Sequence, residues 1–208
     1  MNAHLAPALD LNEVAPGFSD PTRDSQAVFR RAMDAVARPG TIHDLSFAPE
    51  PPHGLGRAAA ALALTLFDFE TPVWLDPALR TGLATSWLRF HCACPLTEEP
   101  EKAAFAIVVD VANCPPLSSF NLGDAKYPDR STTLIVQVAA LVGGPRTVLE
   151  GPGIKGRGAL APAGVTTGFW EQMQANHDRF QFGVDLIFAA GDLIAAVPRT
   201  TRITVKGD

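Results

Sequence analysis

Apolar positions along this chain follow two rhythms: a helical repeat in some stretches and uninterrupted apolar runs in others. Val28, Phe29, Ala32, Met33 and Val36 recur at helical spacing, which predicts an amphipathic helix. It opens at Asp20-Pro21, a capping acid followed by a proline in the first turn, and stops at Arg38-Pro39-Gly40. Leu55 to Phe67 contains only Arg57 and Thr65 as polar residues, so it predicts a helix buried nearly all round. Two further helices are predicted. Pro77 to Phe90 carries Leu79, Leu83, Trp87 and Leu88, and Gly168 to Phe180 carries Phe169, Trp170, Met173 and Phe180.

The second rhythm predicts strands. Ala104 to Asp110 and Thr132 to Leu141 are continuous, β-branched apolar runs, the pattern of strands covered on both faces. Shorter strands are expected at His43 to Phe47, Pro72 to Leu75, Thr147 to Leu149 and Ile203 to Val205. Val184 to Phe188 and Leu193 to Val197 flank Ala189-Ala190-Gly191-Asp192 and read as a hairpin. Helices at both ends of a set of buried strands imply an α/β fold, a three-layer sandwich with a mixed sheet. Residues 1–19, rich in Ala, Pro and Asn, read as an extended arm, and residues 20–208 as a single domain.

Composition narrows the functional classes. The 208 residues are 47% apolar and 19% charged with a net charge of −5, which is a folding composition. No basic run is present, so nucleic acid is not an expected partner. The longest apolar run, Ala58 to Phe67, is about half the ~20 residues a membrane span needs. The three cysteines argue against a disulfide framework and for a reducing compartment, the cytoplasm.

Several motifs point toward chemistry and are weak on inspection. Gly151-Pro152-Gly153-Ile154-Lys155-Gly156 matches the dinucleotide fingerprint in form. However, Pro152 has no N–H for a phosphate, and Arg157 to Pro162 does not open a helix. A tight loop presenting Lys155 and Arg157 is the reading it supports. His91-Cys92-Ala93-Cys94 lacks a second ligand pair at matching spacing, so no metal is assigned. No nucleophile elbow occurs. His4 and His53 are expected at the surface, as is His177 on its helix. Lys102, Lys126, Lys155 and Lys206 are the four lysines; only Lys126 and Lys155, beside glycine or proline turns, are candidates for Schiff-base chemistry, and solvated loop lysines are the reading they support.

The turn Tyr127-Pro128-Asp129-Arg130 sets an acid, a base and a phenol against a buried strand. Asp129 and Arg130 are expected to pair, to cap the start of the strand, or to line a ligand cleft with Tyr127 at the sheet edge. Arg38, Asp68, Asp185 and Arg199 also abut apolar runs, so burial with pairing is expected of them.

Five blocks in order resemble the PhnH family of the bacterial carbon-phosphorus lyase system. They are Phe29 to Gly40 (FRRAMDAVARPG), Leu64 to Leu75 (LTLFDFETPVWL), Tyr127 to Leu134 (YPDRSTTL), Leu149 to Ile154 (LEGPGI), and Phe182 to Ile187 with Leu193 to Thr201. The resemblance implies a mixed-sheet fold similar to pyridoxal-phosphate-dependent transferases but without that cofactor. It also implies a homodimer that joins PhnG, PhnI and PhnJ. The system couples an alkylphosphonate to the ribose of ATP, releasing adenine, and then cleaves the carbon–phosphorus bond. The chemistry belongs to PhnI and PhnJ, and no catalytic residue is implied in this chain. The expectation is therefore an accessory subunit. The alternative is a phosphonate- or nucleotide-binding component whose cleft involves Tyr127, Asp129, Arg130, Gly151, Gly153, Lys155 and Arg157.

Overall fold

The computed structural model describes residues 14–80 and 82–205. Most of the expected arm, together with His4 and Lys206, lies outside the described residues. The remainder of the arm is not detached. Val14, Ala15 and Phe18 pack on the core, and the Ala15 carbonyl accepts from the Trp87 indole at 2.9 Å and contacts His91 Nε2 at 3.0 Å.

A seven-stranded mixed sheet forms the middle layer. Its strands are β1 (His43–Asp44), β2 (Val73–Leu75), β3 (Leu96–Thr97), β4 (Phe105–Val108), β5 (Thr133–Gln137), β8 (Asp185–Ala190) and β9 (Leu193–Val197), in the order β1-β9-β8-β5-β4-β2-β3. The five strands from β8 to β3 are parallel, β9 runs antiparallel to β8, and β1 runs antiparallel to β9 and so in the direction of the five. A smaller antiparallel sheet joins β6 (Gly143–Glu150), β7 (Gly158–Pro162) and β10 (Arg202–Val205) in the order β10-β6-β7. Four helices complete the fold: α1 (Pro21–Ala37), α2 (Arg57–Leu66), α3 (Leu83–Cys92) and α4 (Thr167–His177).

Side chains alternate across the large sheet and divide the core in two. Ile107, Ile135, Ile187, Ile194 and Ala196 face α1, α2 and α3. Leu134, Val136, Leu186, Phe188 and Val197 face α4 and the smaller sheet. Helix α2 lies over β5 and β8. Ala58 to Ala63 within it are fully buried, and the short alanines among them let the helix sit close to its neighbours. Helix α1 starts as expected: Asp20 accepts from Arg23 N–H at 3.1 Å and Asp24 accepts back from Asp20 N–H at 3.0 Å.

Four expectations change. The helix expected from Pro77 is a single tight turn, Pro77–Leu79, followed by a break and then α3. Gly82, at φ +117°, makes that break. Phe180 lies beyond α4 and is exposed, as are Phe29 and Met33 on α1, whose buried stripe is Val28, Ala32 and Ala35. The expected Thr147–Leu149 strand runs from Gly143 to Glu150. Residues 158–162, left unassigned by periodicity, form β7.

No helix among the described residues is long and apolar enough to cross a membrane. The glycine loop between β6 and β7 is fitted against the end of α1. A Cβ added at Gly153 (φ +79°) would overlap the Ala37 carbonyl, whereas at Gly156 (φ +76°) it would meet open space. Left-handed strain alone costs about 1–2 kcal/mol. Gly156→Ala is expected to lose about that much in urea unfolding and Gly153→Ala at least twice as much. Equal losses would show that the loop does not rest on α1.

Candidate functional site

The turn at Tyr127 sits at the amino ends of the parallel strands, just ahead of β5. Open α/β sheets hold ligands beyond the carboxyl ends, so the predicted cleft faces the other way. Asp124 ties the turn by accepting from Lys126 N–H at 2.8 Å and Tyr127 N–H at 2.7 Å. Among the described residues Asp129 and Arg130 make no ion pair with each other. Arg130 stacks on the Tyr127 ring, 3.9 Å from its centroid, and both Asp129 and Arg130 are exposed.

The start of β5 is held instead by Ser131 and Thr132. The buried Thr132 hydroxyl donates to the Ala103 carbonyl at 2.6 Å and accepts from Asn121 N–H at 3.1 Å. Ser131 receives Arg199, which is the hub of this end. Its guanidinium forks onto Asp185 (Nη2 to Oδ2 2.6 Å, Nε to Oδ1 3.2 Å) and reaches the Pro128 carbonyl at 2.8 Å and Ser131 Oγ at 2.5 Å. With side chains only 13% and 22% exposed, Arg199 and Asp185 gain more from pairing than a surface pair would. One guanidinium thus joins β8, the segment after β9 and the turn before β5.

Arg38 and Asp68 behave otherwise. Arg38 pairs with Asp34 at 2.8 Å on the exposed end of α1, and Asp68 is an exposed turn residue accepting from Glu70 N–H and the Thr71 hydroxyl. Those bonds hold the Asp68 carboxyl below the usual range. Both residues abut apolar runs but leave the core as the chain turns outward.

The glycine loop is structural at Gly151 and Gly153, which approach Thr200 and Ala37 backbone. Lys155 and Arg157 project outward, and Arg157 pairs with Glu150 at 3.0 Å. Between this loop and Arg199 lies a cleft of about 420 Å³ lined by Glu150, Gly151, Pro152, His177, Thr200 and Arg202. His177 is half-buried, its Nδ1 3.0 Å from the Arg199 carbonyl, rather than free at the surface. Asn176, also missed by sequence reasoning, is buried and bonds both the N–H and the carbonyl of Val184. The signal that could have found it is an Asn in the last turn of an amphipathic helix, just ahead of the Gly183-Val184 entry to β8.

Among the described residues no three His, Cys, Asp or Glu side chains converge to hold a metal ion. His91 is turned toward Ala15, and Cys92 donates to the Ala63 carbonyl at 3.6 Å. The hydrogen bond with Cys94, then burial, push the Cys92 thiol up. Burial and the nearby Asp76 push Cys114 up to about 12.

Comparison with known proteins gives this arrangement its context. The family model described as bacterial phosphonate metabolism protein (PhnH) matches residues 16–204. A protein of Rhizobium meliloti (strain 1021) named alpha-D-ribose 1-methylphosphonate 5-triphosphate synthase subunit PhnH is 44% identical over 186 residues, covering 89% of this chain and 93% of that protein. A Stutzerimonas stutzeri protein named "Putative C-P lyase subunit protein HtxG" is 30% identical over 182 residues, covering 88% and 87%.

Replacing Arg199 leaves the Asp185 carboxylate half-buried without its partner and frees the Tyr127 turn. Arg199→Met is expected to lose about 2–3 kcal/mol in urea unfolding, below the full cost of breaking a wholly buried pair. Arg130→Ala, at an exposed position, is expected to stay within about 0.5 kcal/mol of the parent. Equal effects at the two sites would remove Arg199 from its central role.

Proposed function

The chain belongs to the PhnH family of bacterial phosphonate metabolism proteins, and from that membership we propose that it is an accessory subunit of the carbon-phosphorus lyase system. In this reading it supports conversion of an alkylphosphonate and ATP to ribose 1-alkylphosphonate 5-triphosphate and adenine, in the cytoplasm. It acts as a homodimer in contact with PhnG, PhnI and PhnJ counterparts, which carry the reacting groups. Its fold is similar to the pyridoxal-phosphate-dependent transferases, without the cofactor.

One structural observation carries the reading: large apolar side chains turned outward on two helices. Phe29 and Met33, one turn apart on α1, are 49% and 51% exposed, and Leu83 and Phe90, two turns apart on α3, are 50% and 51% exposed. Apolar residues at such positions suit contact with other subunits. By contrast, the polar side chains of Arg199, Asp185, Thr132 and Asn176 hold the chain's own backbone.

The alternative, a phosphonate- or nucleotide-binding component, is favoured by the Arg130 fork on Tyr127. Calorimetry with ATP, methylphosphonate and pyridoxal phosphate tests it; heat that disappears in Arg130→Ala would support it.

Sedimentation of the purified chain is expected to give the mass of two copies, and co-expression with PhnG and PhnI counterparts is expected to give co-elution. The Phe29→Glu, Met33→Glu double variant should weaken one of these associations roughly tenfold while keeping its melting temperature. A strict monomer that ignores both partners, or turnover of ATP with methylphosphonate by the pure chain, would overturn the proposal.

A further inference from the structure

The carboxyl end of the large sheet holds an opening that none of the residues above uses. Beyond β2 and β3 lies a pocket of about 210 Å³, with Arg80, Arg89, Thr85, Thr97 and Glu98 in its lining over a leucine floor. We propose that this pocket binds the tetrahedral oxyanion head of a phosphate or phosphonate.

Its position is the first ground. From β2 the chain passes to β3 on one side and then crosses back to β4 on the other, all three strands parallel. The pocket lies at the carboxyl ends of β2 and β3, the end of the sheet at which open α/β folds take their ligands. The Tyr127 turn stands at the opposite end.

Charge and donors are the second. Two guanidinium groups face one carboxylate, so the lining is net positive in a chain of net charge −5. Arg80 is already oriented. Its Nε donates to the Leu75 carbonyl at 2.9 Å and its guanidinium stands 5.4 Å from the Trp74 ring centroid. Among the described residues no acceptor takes the Nη hydrogens of Arg80 or any guanidinium hydrogen of Arg89. The two threonines contribute less, because Thr85 donates to the Leu79 carbonyl at 2.7 Å and Thr97 accepts from Glu99 N–H at 3.1 Å. The arginines are therefore the recognition groups, and their forks match phosphorus oxyanions. Helix α3, ten residues long, also begins beside the pocket at Gly82 without a side-chain cap, which leaves first-turn N–H groups that favour an anion.

Size is the third. Sites for drug-sized ligands occupy roughly 300–1,000 Å³, so a pocket of about 210 Å³ suits a single oxyanion head with any larger body outside.

Calorimetry on the full chain with inorganic phosphate, methylphosphonate and acetate at low salt tests this. Phosphate and methylphosphonate are expected to bind, with acetate at least tenfold weaker. Arg89→Gln, at an exposed position, should weaken both roughly tenfold with an unchanged melting temperature. Arg80→Lys, which keeps the charge and loses the fork, should weaken them as well, while Arg130→Gln leaves them unaltered. Tighter methylphosphonate than phosphate would identify a phosphonate as the source, and the reverse a phosphate. No binding of either, acetate equal to them, or parental affinity in Arg89→Gln overturns the proposal. The proposal does not rest on the subunit reading, whose failure shows in co-elution and not in these titrations.

Discussion

Two-sided burial of the parallel strands governs this molecule. Ala106 to Val108 in β4, Leu134 to Val136 in β5 and Leu186 to Ala190 in β8 are buried on both faces, between α1–α3 and the layer of α4 with the smaller sheet. No polar side chain can stand within these strands without losing its hydration. Polar chemistry is therefore driven to the sheet's two ends, and the ends are used differently. At the amino end Arg199, Asp185, Thr132 and Asn176 spend their hydrogen bonds fastening segments of backbone. At the carboxyl end Asp76 does similar work, accepting from Ala78, Val109 and Asp110 N–H groups, and Gln137 bonds Gly54 and Gly56. Beside Asp76 the guanidinium groups of Arg80 and Arg89 remain with hydrogens to offer.

That division bears on how the chain serves a larger assembly. A fastened amino end gives a rigid body, and in the proposed reading the outward apolar residues of α1 and α3 present that body to neighbours. A small anion held at the far end would reach the neighbours through the same helices, since α3 lines the pocket with Thr85 and Arg89 and carries the exposed Leu83 and Phe90.

Much of the fold was legible because burial writes itself into composition. The runs containing β4, β5, β8 and β9 are apolar because both faces are covered, and α1 announces itself through Asp20-Pro21 and Pro39-Gly40. Periodicity misled where an apolar residue served the outside: Phe29 and Met33 extend the stripe of α1 without entering the core. In the smaller sheet only Thr147 to Leu149 and Ile203 to Val205 were legible; the start of β6 and all of β7 were not, because β6 opens on Gly143-Gly144-Pro145 and β7 contains Gly158 and Pro162, residues that punctuate strands elsewhere. For the site, a charge beside an apolar run stands half-buried and paired at Asp185, which opens β8, and at Arg199, which follows β9. The same rule failed for Arg38 and Asp68, where the chain is already leaving the core. What Arg199 fastens was not legible, since two of its partners, the Pro128 carbonyl and Ser131, lie about seventy residues away. The carboxyl-end pocket was hidden for a related reason, as its lining comes from β2, α3 and the end of β3.

The outermost strands of the large sheet, β1 and β3, are each two residues long. So short a rim offers almost no free backbone for another chain to copy. A neighbouring chain therefore has little at either rim on which to lengthen the central ladder. This limits growth of the large sheet to a finished width and guards it against runaway templating.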